Sequence, residues 1–386
     1  MTTLTVEQAE HEAQAALAAN QPESAEALAR AMLASGSGPI RHWSILATAL
    51  RRQGRTHEAK PILEMLVEAA PQSLDLHFDL AETLLLLGEF DRGWREYRYR
   101  YSLAHTVRLD RKVQRPRWDG QPLPGKTLLI YDEQGFGDTF QFMRMVPWAK
   151  QRSGARVVLQ IVQEQIPFAR RMGGFDEIVP RGALPPHFDE YCEMMSLPMA
   201  MGLQMSDLPG DIPYLSADEA RIERWRERLA GLPQPLVALV WAGRPEHFND
   251  ANRSMTLATL GPLAMEGVTF LSVQKGPKAV EAKTPPPGME LIDLGDEITD
   301  FDDTAAIFSL IDLLISVDSS PVHLAGALGR PAWVMLPFVP DWRWLLHRPD
   351  SPWYPSLRLF RQPTRGDWGA VASQMAVELA ALRDGA

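Results

Sequence analysis

Residues Leu313 to Pro340 constrain the fold of this chain more than any other stretch, because they join two apolar strands through a polar turn and a short helix. Leu313 to Val317 predicts a buried strand, and Ala332 to Leu336 predicts a second one. Asp318 to Ser320 offers helix-capping side chains, and Pro321 stands where a first helical turn tolerates proline. The stretch therefore predicts a strand, a tight turn and a helix N-terminus.

This arrangement is suited to binding a phosphate, because unpaired backbone N–H groups and the helix dipole meet at the turn. A capped strand-to-helix turn is also common in α/β proteins that bind no ligand there. His323 lies three residues past the cap and is either a ligand or a core histidine. The local pattern alone leaves both interpretations open.

The composition limits the class of protein. The 386 residues predict two to three domains, and 45% hydrophobic residues are enough for a full core. A net charge of -10 argues against a protein built to bind nucleic acid. The N-terminus has no apolar run, no segment is long and apolar enough to span a bilayer, and Cys192 is the single cysteine. We therefore expect a cytoplasmic protein without an intrachain disulfide or a transmembrane segment.

The first 105 residues or so have helical periodicity and repeat every 34 residues. Small or turn-forming residues recur at this spacing: Ala13, Ala47 and Ala81; Asn20, Gly54 and Gly88; Ala25, Ala59 and Gly93. Small side chains let paired helices approach closely, and this period is typical of tetratricopeptide repeats. A plain helical bundle is the alternative. Such repeats usually hold a peptide or dock a neighbouring domain.

A second strand, turn and helix follows the helical region. Lys126 to Tyr131 predicts the strand, and Phe140 to Lys150 has the periodicity of a helix. The turn between them contains Gly135 and Gly137, which permit a tight turn next to a ligand, and then Asp138. Asp138 is either a cap of the helix or a functional carboxylate.

Strands and helices alternate through the rest of the chain in two sets. The predicted domains are helical repeats over 1–115, α/β domains over 116–232 and 233–365, and a helix over 366–386 that packs back across the junction. Successive α/β domains place ligand sites at the carboxyl ends of their strands. The cleft between the two domains is then the expected active site.

Six segments, in order along the chain, resemble bacterial tetratricopeptide-linked glycosyltransferases of the ADP-heptose heptosyltransferase-like type. They are EQGFGDTFQF from Glu133, LVWAGRPEHFNDANRS from Leu239, SVQKG from Ser272, ITDFDDTAA from Ile298, the stretch Ile315 to Leu345, and SPWYPSLRLFRQ from Ser351. The resemblance covers essentially the whole chain. It implies a GT-B fold, in which two Rossmann-like domains face each other across a cleft, with the first on the acceptor side and the second binding a nucleotide-sugar.

The resemblance also implies roles for particular residues. Gly137-Asp138 matches a pair whose aspartate is the general base, and Asp318-Ser319-Ser320-Pro321-Val322-His323 matches a block that holds the donor phosphates. Serine at 320 replaces a glycine of the family pattern and adds a side chain. Lys275 matches a basic residue near the phosphates, although a solvated surface lysine is the alternative.

The chemistry of sugar transfer agrees with these roles. Charge develops on the leaving diphosphate, so fixed N–H groups and cations stabilise it, and the acceptor hydroxyl needs a proton acceptor. A single carboxylate suggests single displacement with inversion. The resemblance implies no metal or other cofactor. Further candidates for the donor and acceptor cleft are Gln134, Gly135, Gly137, Trp241, Arg244, Asn252, Arg253, Gln274, Asp318 and Trp342.

Two functions remain in competition. The first is a glycosyltransferase whose repeats present the acceptor, either a protein such as flagellin or a glycan such as a lipopolysaccharide core sugar. The second is a non-catalytic tetratricopeptide scaffold with a vestigial nucleotide-sugar-binding module. Asp138, Lys275 and His323 favour the first function. Trp342 and Trp344 either stack on the donor base or fill the core, and the core is favoured.

Overall fold

The computed structural model describes residues 4–34, 38–102, 115–208, 211–247 and 249–385. These residues form two compact units. The first contains the helical front of the chain together with Gly202–Met205 and Val339–His347, and the second contains the two α/β parts. Residues 103–114, which follow the helices, lie outside the described residues, and the predicted domain boundaries stay predictions.

The helical front consists of three successive helix pairs. The pairs are α1 (Val6–Ala18) with α2 (Pro22–Leu33), α3 (Ile40–Arg52) with α4 (Thr56–Ala69), and α5 (Leu74–Leu86) with α6 (Phe90–Tyr97). The turn inside each pair has a residue with positive φ, namely Asn20, Gly54 and Gly88. These are the positions that recur every 34 residues, so the predicted tetratricopeptide-like repeat is confirmed.

Small side chains at the other repeated positions bring the paired helices together. Ala13, Ala47 and Ala81 are fully buried. At Gly93 a Cβ would lie 2.7 Å from Leu85 Cδ2, so only glycine fits there without movement of α5. Close helix packing is therefore the physical cause of the small residues in the repeat.

The first α/β part has a sheet of four parallel strands in the order β3-β2-β1-β4. Its strands are β1 (Thr127–Tyr131), β2 (Arg156–Ile161), β3 (Glu177–Pro180) and β4 (Glu190–Glu193). Its helices are α7 (Phe136–Phe142), α8 (Val146–Ser153), α9 (Ile166–Met172), α10 (Leu197–Met201) and, after a crossing segment that includes residues 211–215, α11 (Glu219–Leu229). The sheet order is the one expected for half of a Rossmann-like fold.

The second α/β part has six parallel strands in the order β10-β9-β8-β5-β6-β7. The strands are β5 (Leu236–Val240), β6 (Thr269–Ser272), β7 (Leu291–Asp293), β8 (Leu313–Val317), β9 (Ala332–Leu336) and β10 (Leu357–Arg361). The helices are α12 (Asp250–Arg253), α13 (Phe301–Phe308), α14 (Ser320–Ala327) and α15 (Trp368–Gly385). Counted from β5, the order is 3-2-1-4-5-6, which is the Rossmann order.

These two parallel sheets after a helical repeat confirm the predicted fold class, an α/β protein of the GT-B type. The core of the second part contains Trp368, Val371 and Met375 of α15. The packing of this helix across the junction stays a prediction. Within the described residues, no helix is both long and apolar enough to cross a membrane.

The two α/β parts pack directly on each other. The ring of Phe301 at the start of α13 lies 4.9 Å from the ring of Phe136 and 5.2 Å from that of Phe140, both on α7. In the crossing segment, Tyr214 N donates to Ala327 O of α14 at 3.1 Å. Contacts of this kind fix the first α/β part against α13 and α14 of the second.

Candidate functional site

The predicted phosphate turn lies where the strand order of the second sheet reverses. β5 and β8 are neighbours in that sheet but not in sequence. In open α/β sheets, ligands bind outside the carboxyl ends of the strands at such a point. Trp241 follows β5 and Asp318 follows β8, so both residues lie at the carboxyl ends of these neighbouring strands.

The first turns of α7 and α14 lie against each other. A Cβ at Gly137 would lie 2.9 Å from His323 Cδ2 and 3.5 Å from Ser320 Cα. The glycine-rich turn at the start of α7 and the serine-rich turn at the start of α14 were predicted separately and lie more than 180 residues apart in sequence. In the structure they are neighbours. Asp138, the residue after Gly137, is therefore carried by the turn that adjoins Ser320 and His323.

Asp138 takes part in the N-terminal cap of α7. The N–H of Gly135, the N-cap residue, donates to Asp138 Oδ2 at 3.0 Å. This contact is the structural role that the sequence left open, and it holds the half-buried carboxylate in a fixed position at the helix start. Its role as a general base stays a prediction.

The start of α14 is not capped by the side chain of its N-cap residue. Ser319 is the N-cap residue, but its hydroxyl donates to Val317 O at 3.1 Å and lies 3.3 Å from Ser316 Oγ. Of the capping side chains that Asp318 to Ser320 offer, that of Ser319 therefore does not cap α14. In the first turn of α14, Pro321 has no N–H and Val322 N donates to Ser319 O at 3.0 Å, so the N–H of Ser320 is the group of this turn that remains for an anion.

His323 is buried, with 5% of its surface exposed. Its Nδ1 lies 3.1 Å from the hydroxyl of Tyr354, and its Cδ2 edge lies beside Gly137. The ring is thus held on one side by a hydrogen bond, as in a core histidine, while the opposite edge is at the contact between α7 and α14. These contacts are those of a core histidine, and the role of His323 as a phosphate ligand stays a prediction.

Arg253 places a cation on the phosphate turn. Its Nη1 donates to the carbonyl of Asp318 at 3.0 Å, and its Nε lies 3.2 Å from Asp250 Oδ1. The Arg253 side chain is 14% exposed. A Cβ at Gly243 would lie 2.6 Å from Arg253 Nη2, so this glycine makes room for the guanidinium.

Gln274 and Trp241 have structural contacts in the same part of the sheet. Gln274 Oε1 accepts the N–H groups of Trp241 and Ala242, both at 2.9 Å. Gln274 Nε2 donates to Ala242 O at 2.9 Å and to Lys275 O at 2.7 Å. This buried amide joins the loops after β5 and β6, and Trp241 is fully buried beneath them.

Other predicted cleft residues have contacts away from the phosphate turn. Lys275 Nζ donates to Gly295 O at 2.7 Å and to Ile298 O at 3.0 Å. The Arg244 side chain is 76% exposed, with its Nε 3.7 Å from Glu246 Oε2. Asn252 donates to Asn249 Oδ1 at 2.7 Å. Their predicted roles stay predictions.

Trp342 belongs to the helical unit. It is 3% exposed, and its ring centroid lies 5.2 Å from that of Trp94 and 5.9 Å from that of Tyr97. Arg343 stacks on it, with its guanidinium carbon 4.2 Å from the ring centroid. Trp342 therefore fills a core, which is the alternative that the sequence favoured.

Sequence reasoning missed an ion pair that braces the turn before α7. Arg181 Nε donates to Asp132 Oδ1 at 2.7 Å, and Arg181 Nη2 donates to the carbonyl of Gln134 at 3.0 Å. Val162 N also donates to Asp132 Oδ2, at 3.0 Å. Burial raises the pKa of Asp132, against the opposing effect of Arg181. These contacts fix the backbone just before Gly135, Gly137 and Asp138.

A second buried carboxylate, Glu193, ends β4 at the same edge. Arg117 Nη2 donates to its Oε1 at 2.7 Å, and the hydroxyl of Tyr131 donates to the same oxygen at 3.2 Å. Burial, and then the charge of Glu193, raise the pKa of Tyr131. Arg117 is 76 residues from Glu193 in the chain, so no local spacing indicated the pair. The local signal for Glu193 was its position at the carboxyl end of a strand.

Comparisons with known proteins found matches of low sequence identity. No protein-family model matches the chain. The chain is 29% identical over 347 residues to protein FlbA of Caulobacter vibrioides, and the match covers 82% of this chain. It covers 56% of FlbA, so the chain spans little more than half the length of that relative.

Two solved structures are similar over about two thirds of this chain. The family 9 glycosyl transferase of Veillonella parvula has a TM-score of 0.49 and 10% identity, covering 69% of this chain and 99% of its own. The ADP-heptose lipopolysaccharide heptosyltransferase II of Escherichia coli has a TM-score of 0.48 and 14% identity, covering 67% of this chain and 98% of its own. In both, nearly the whole of the other chain is matched.

Proposed function

We propose that this chain is a glycosyltransferase that moves a sugar from a nucleotide-sugar to an acceptor hydroxyl. The observation that carries the proposal is the contact between the first turns of α7 and α14, where Gly137 lies against Ser320 and His323. One turn carries a carboxylate, and the other is built to bind an anion. Sugar transfer needs both groups next to one reacting carbon.

The start of α14 is suited to the leaving diphosphate. The N–H of Ser320 lies in its first turn, the helix dipole favours negative charge, and Arg253 is fixed on the Asp318 carbonyl beside it. As the bond between the sugar carbon and the phosphate oxygen breaks, the electron pair goes to that oxygen. Preorganised donors at this position stabilise the charge as it develops.

Asp138 is suited to accept the proton of the attacking hydroxyl. The acceptor oxygen forms the new bond to the sugar carbon, its proton goes to the Asp138 carboxylate, and the nucleoside diphosphate leaves. A single displacement of this kind inverts the configuration at the sugar carbon. The proposal uses protein groups alone and no metal.

The helical repeats would present the acceptor, for which we propose a protein or peptide. An open groove runs between the starts of α3 and α5 on the repeat surface. It is lined by Pro39, Ile40, Arg41, Ser44, Ser73, Asp75, Leu76 and Asp79. Tetratricopeptide-like surfaces of this shape commonly hold an extended peptide.

A non-catalytic scaffold is the second candidate, and two contacts favour it. The Asp138 carboxylate caps α7, and the Lys275 ammonium is bound to two backbone carbonyls. Both side chains thus have structural roles that a protein without turnover would retain. The two functions differ in whether sugar is transferred.

The test begins with a thermal-shift screen of ADP-, UDP-, GDP-, dTDP- and CMP-linked sugars, because a ligand of the folded state raises the unfolding temperature. Transfer is then measured with the donor that binds. For Asp138→Asn we expect a fall in kcat of about 100-fold or more with an unchanged thermal shift, because the amide still accepts the Gly135 N–H but takes no proton. Asp350→Asn, at an exposed ion pair with Arg348, is the matched control.

Two results would contradict the proposal. Wild-type rates in Asp138→Asn would remove Asp138 from the mechanism. Binding of a donor without hydrolysis or transfer by the wild-type protein, over a range of peptide and glycan acceptors, would favour the scaffold.

A further inference from the structure

One peptide group in the turn before α7 is held by hydrogen bonds at both of its polar atoms. The carbonyl of Gln134 accepts a hydrogen bond from Arg181 Nη2 at 3.0 Å. The N–H of Gly135 donates to Asp138 Oδ2, also at 3.0 Å. This carbonyl and this N–H belong to the same amide, which joins Gln134 to Gly135. The peptide group therefore lies between the guanidinium of Arg181 and the carboxylate of Asp138.

The geometry of the amide transmits the effect of Arg181 to Asp138. The peptide bond between Gln134 and Gly135 is trans. A trans peptide group is planar, and its C=O and N–H bonds point in opposite directions. The direction of the Gln134 carbonyl thus sets the direction of the Gly135 N–H. By fixing the carbonyl, Arg181 also fixes the donor that holds the Asp138 carboxylate.

Arg181 is in turn fixed by a buried carboxylate. Its Nε donates to Asp132 Oδ1 at 2.7 Å, and the Asp132 side chain is 1% exposed. The other oxygen of Asp132 accepts the N–H of Val162 at 3.0 Å, which ties the carboxylate to the end of β2. A planar guanidinium offers Nε and Nη2 as two donors with a fixed spacing. Arg181 uses this fork on one carboxylate and on one carbonyl two residues later in the chain.

Other side chains hold the same turn at different atoms. Gln165 is fully buried, and its Nε2 donates to the carbonyl of Phe136 at 2.9 Å. The hydroxyl of Thr139 lies 3.4 Å from Asp132 Oδ2. These two contacts secure the start of α7, and neither of them involves the carbonyl of Gln134. The orientation of the peptide group before Gly135 therefore depends on Arg181.

We propose that Arg181 is a positioning residue for Asp138 and acts through the peptide group between Gln134 and Gly135. The inference rests on the proposed function, in which Asp138 accepts the proton of the acceptor hydroxyl. Without the guanidinium, the peptide group can rotate, and the carboxylate loses a donor of fixed direction. A displacement of about 1 Å at such a group can lower a rate about 100-fold.

The first test measures the turn itself and does not require sugar transfer. Hydrogen exchange of the amides of residues 133–139 is followed by mass spectrometry in the wild type and in Arg181→Met, whose side chain has no hydrogen-bond donor. We expect these amides to exchange about 10-fold faster in the variant, because the loss of charge-assisted hydrogen bonds favours local opening. Wild-type exchange rates in Arg181→Met would overturn the proposal.

Arg156→Met is the matched control. Arg156 begins β2 and pairs with Glu177, which begins β3, whereas Arg181 directly follows β3. Both variants thus lose one guanidinium from the same pair of strands, at opposite ends. We expect Arg156→Met to leave the exchange of residues 133–139 unchanged, and equal acceleration in the two variants would overturn the proposal. Unfolding temperatures show that each variant is folded.

The second test measures transfer with a donor that binds in the thermal-shift screen. For Arg181→Met we expect a fall in kcat of about 10- to 100-fold. The KM for the donor should not change, because the groups proposed to bind its phosphates lie at the start of α14 and at Arg253, outside this turn. A KM that rises while kcat stays at the wild-type value would overturn the proposal.

A double-mutant cycle separates positioning from a general structural effect. If Arg181 acts through Asp138, Arg181→Met should cause no further fall in kcat when Asp138 is already asparagine. A purely structural role would lower kcat by the same factor in both backgrounds, and that result would overturn the proposal. The cycle therefore tests the path of the effect as well as its size.

Arg181→Lys separates the charge from the geometry. Lysine keeps a cation next to Asp132 but has no planar fork for the carboxylate and the carbonyl together. We expect kcat to stay lowered in this variant, with an unfolding temperature closer to that of the wild type than in Arg181→Met. A wild-type kcat in Arg181→Lys would overturn the role of the fork.

Failure of the inference differs from failure of the proposed function. Absence of transfer by the wild-type protein with every donor that binds would contradict the proposed function, while hydrogen exchange still decides whether Arg181 holds the turn. Transfer by the wild type together with a wild-type kcat in Arg181→Met would overturn the inference alone.

Discussion

At residue 137, the available space decides which side chain is tolerated. A Cβ there would lie 2.9 Å from His323 Cδ2, closer than real Cβ atoms approach. We therefore expect Gly137→Ala to push α7 and α14 apart, with a loss of about 1–3 kcal/mol in the free energy of unfolding. Urea denaturation measures this loss, and the thermal shift with donor should decrease.

Gly135 provides a control two residues away. Its φ is −79°, and a Cβ there would meet nothing closer than Asp138 Oδ2 at 3.4 Å. Gly135→Ala should therefore change stability by less than about 0.5 kcal/mol. Equal losses in the two variants would show that the contact between α7 and α14 does not determine the effect.

Sequence reasoning located the turns of the site better than the contacts of its side chains. The turns around Asp138 and Ser319 follow apolar strands, and such turns carry a local signal. The contacts of Lys275 and Gln274 have no local sequence signal. Their partners include backbone groups of other loops, up to 33 residues away. Tyr354, whose hydroxyl lies 3.1 Å from His323 Nδ1, is likewise distant in sequence, so only the folded chain shows this contact.

Among the elements, α11 and α13 are joined through one buried carboxylate. Asp303 accepts hydrogen bonds from Arg221 at 2.7 Å, Trp225 at 3.0 Å and Thr299 Oγ1 at 2.7 Å. Burial raises the pKa of Asp303, but the hydrogen bonds from Thr299, Trp225 and Arg221 outweigh it, so the pKa is lowered. The ionised carboxylate is thus bound more tightly in the folded state than in the unfolded chain.

We expect Asp303→Asn to lose about 2 kcal/mol of unfolding free energy at pH 7, because charge-assisted hydrogen bonds become neutral ones. A lowered folded pKa gives stability that is complete above the unfolded value near 3.9 and is lost as the pH falls through the folded value. The difference between wild type and variant should therefore be constant down to about pH 5 and shrink at lower pH. Urea denaturation across this pH range measures it.

Glu297→Gln is the control for this prediction, since Glu297 pairs with Arg228 of the same helix at the surface. Exposed ion pairs contribute about 0–1 kcal/mol. A Glu297 variant as destabilised as the Asp303 variant would contradict the argument from burial.

The turns of the helical repeats offer a comparison inside one chain. Gly54 has φ 72° and occupies the repeat position that Asn20 occupies with φ 55°. Asparagine tolerates this left-handed conformation, whereas a β-branched residue does not. We expect Gly54→Val to be less stable than Gly54→Asn by about 1–2 kcal/mol, measured by thermal unfolding. Equal stabilities would show that the turn relaxes to another conformation.

Strands could be predicted from the sequence where their pattern of apolar residues was strong. β8 and β9 have the predicted bounds because each is a continuous apolar run. β10 was not predicted as a strand, since it is an edge strand whose sequence LRLFR alternates with arginine. The strand order had no local signal at all, because pairing of β5 with β8 depends on the closure of a long chain segment.

In the whole molecule, the helical unit is discontinuous in sequence. Val339–His347, which follows β9, belongs to the unit formed by the helical front. Within it, Trp342 packs edge-on against Trp94 of α6, and Arg343 binds Asp341 at 2.8 Å. The repeats therefore include residues that sequence reasoning assigned to the nucleotide-sugar-binding domain.

This arrangement predicts that a substitution late in the chain loosens helices near its start. Trp342→Ala removes a buried aromatic side chain, and we expect a loss of about 3–5 kcal/mol in the stability of the helical unit. Hydrogen exchange of α5 and α6 should become faster. In the control Trp368→Ala, which acts on the core around the second sheet, faster exchange should appear in that core instead. If Trp342→Ala left α5 and α6 as protected as in the wild type, the segment after β9 would be an accessory to the repeats and not a part of their core.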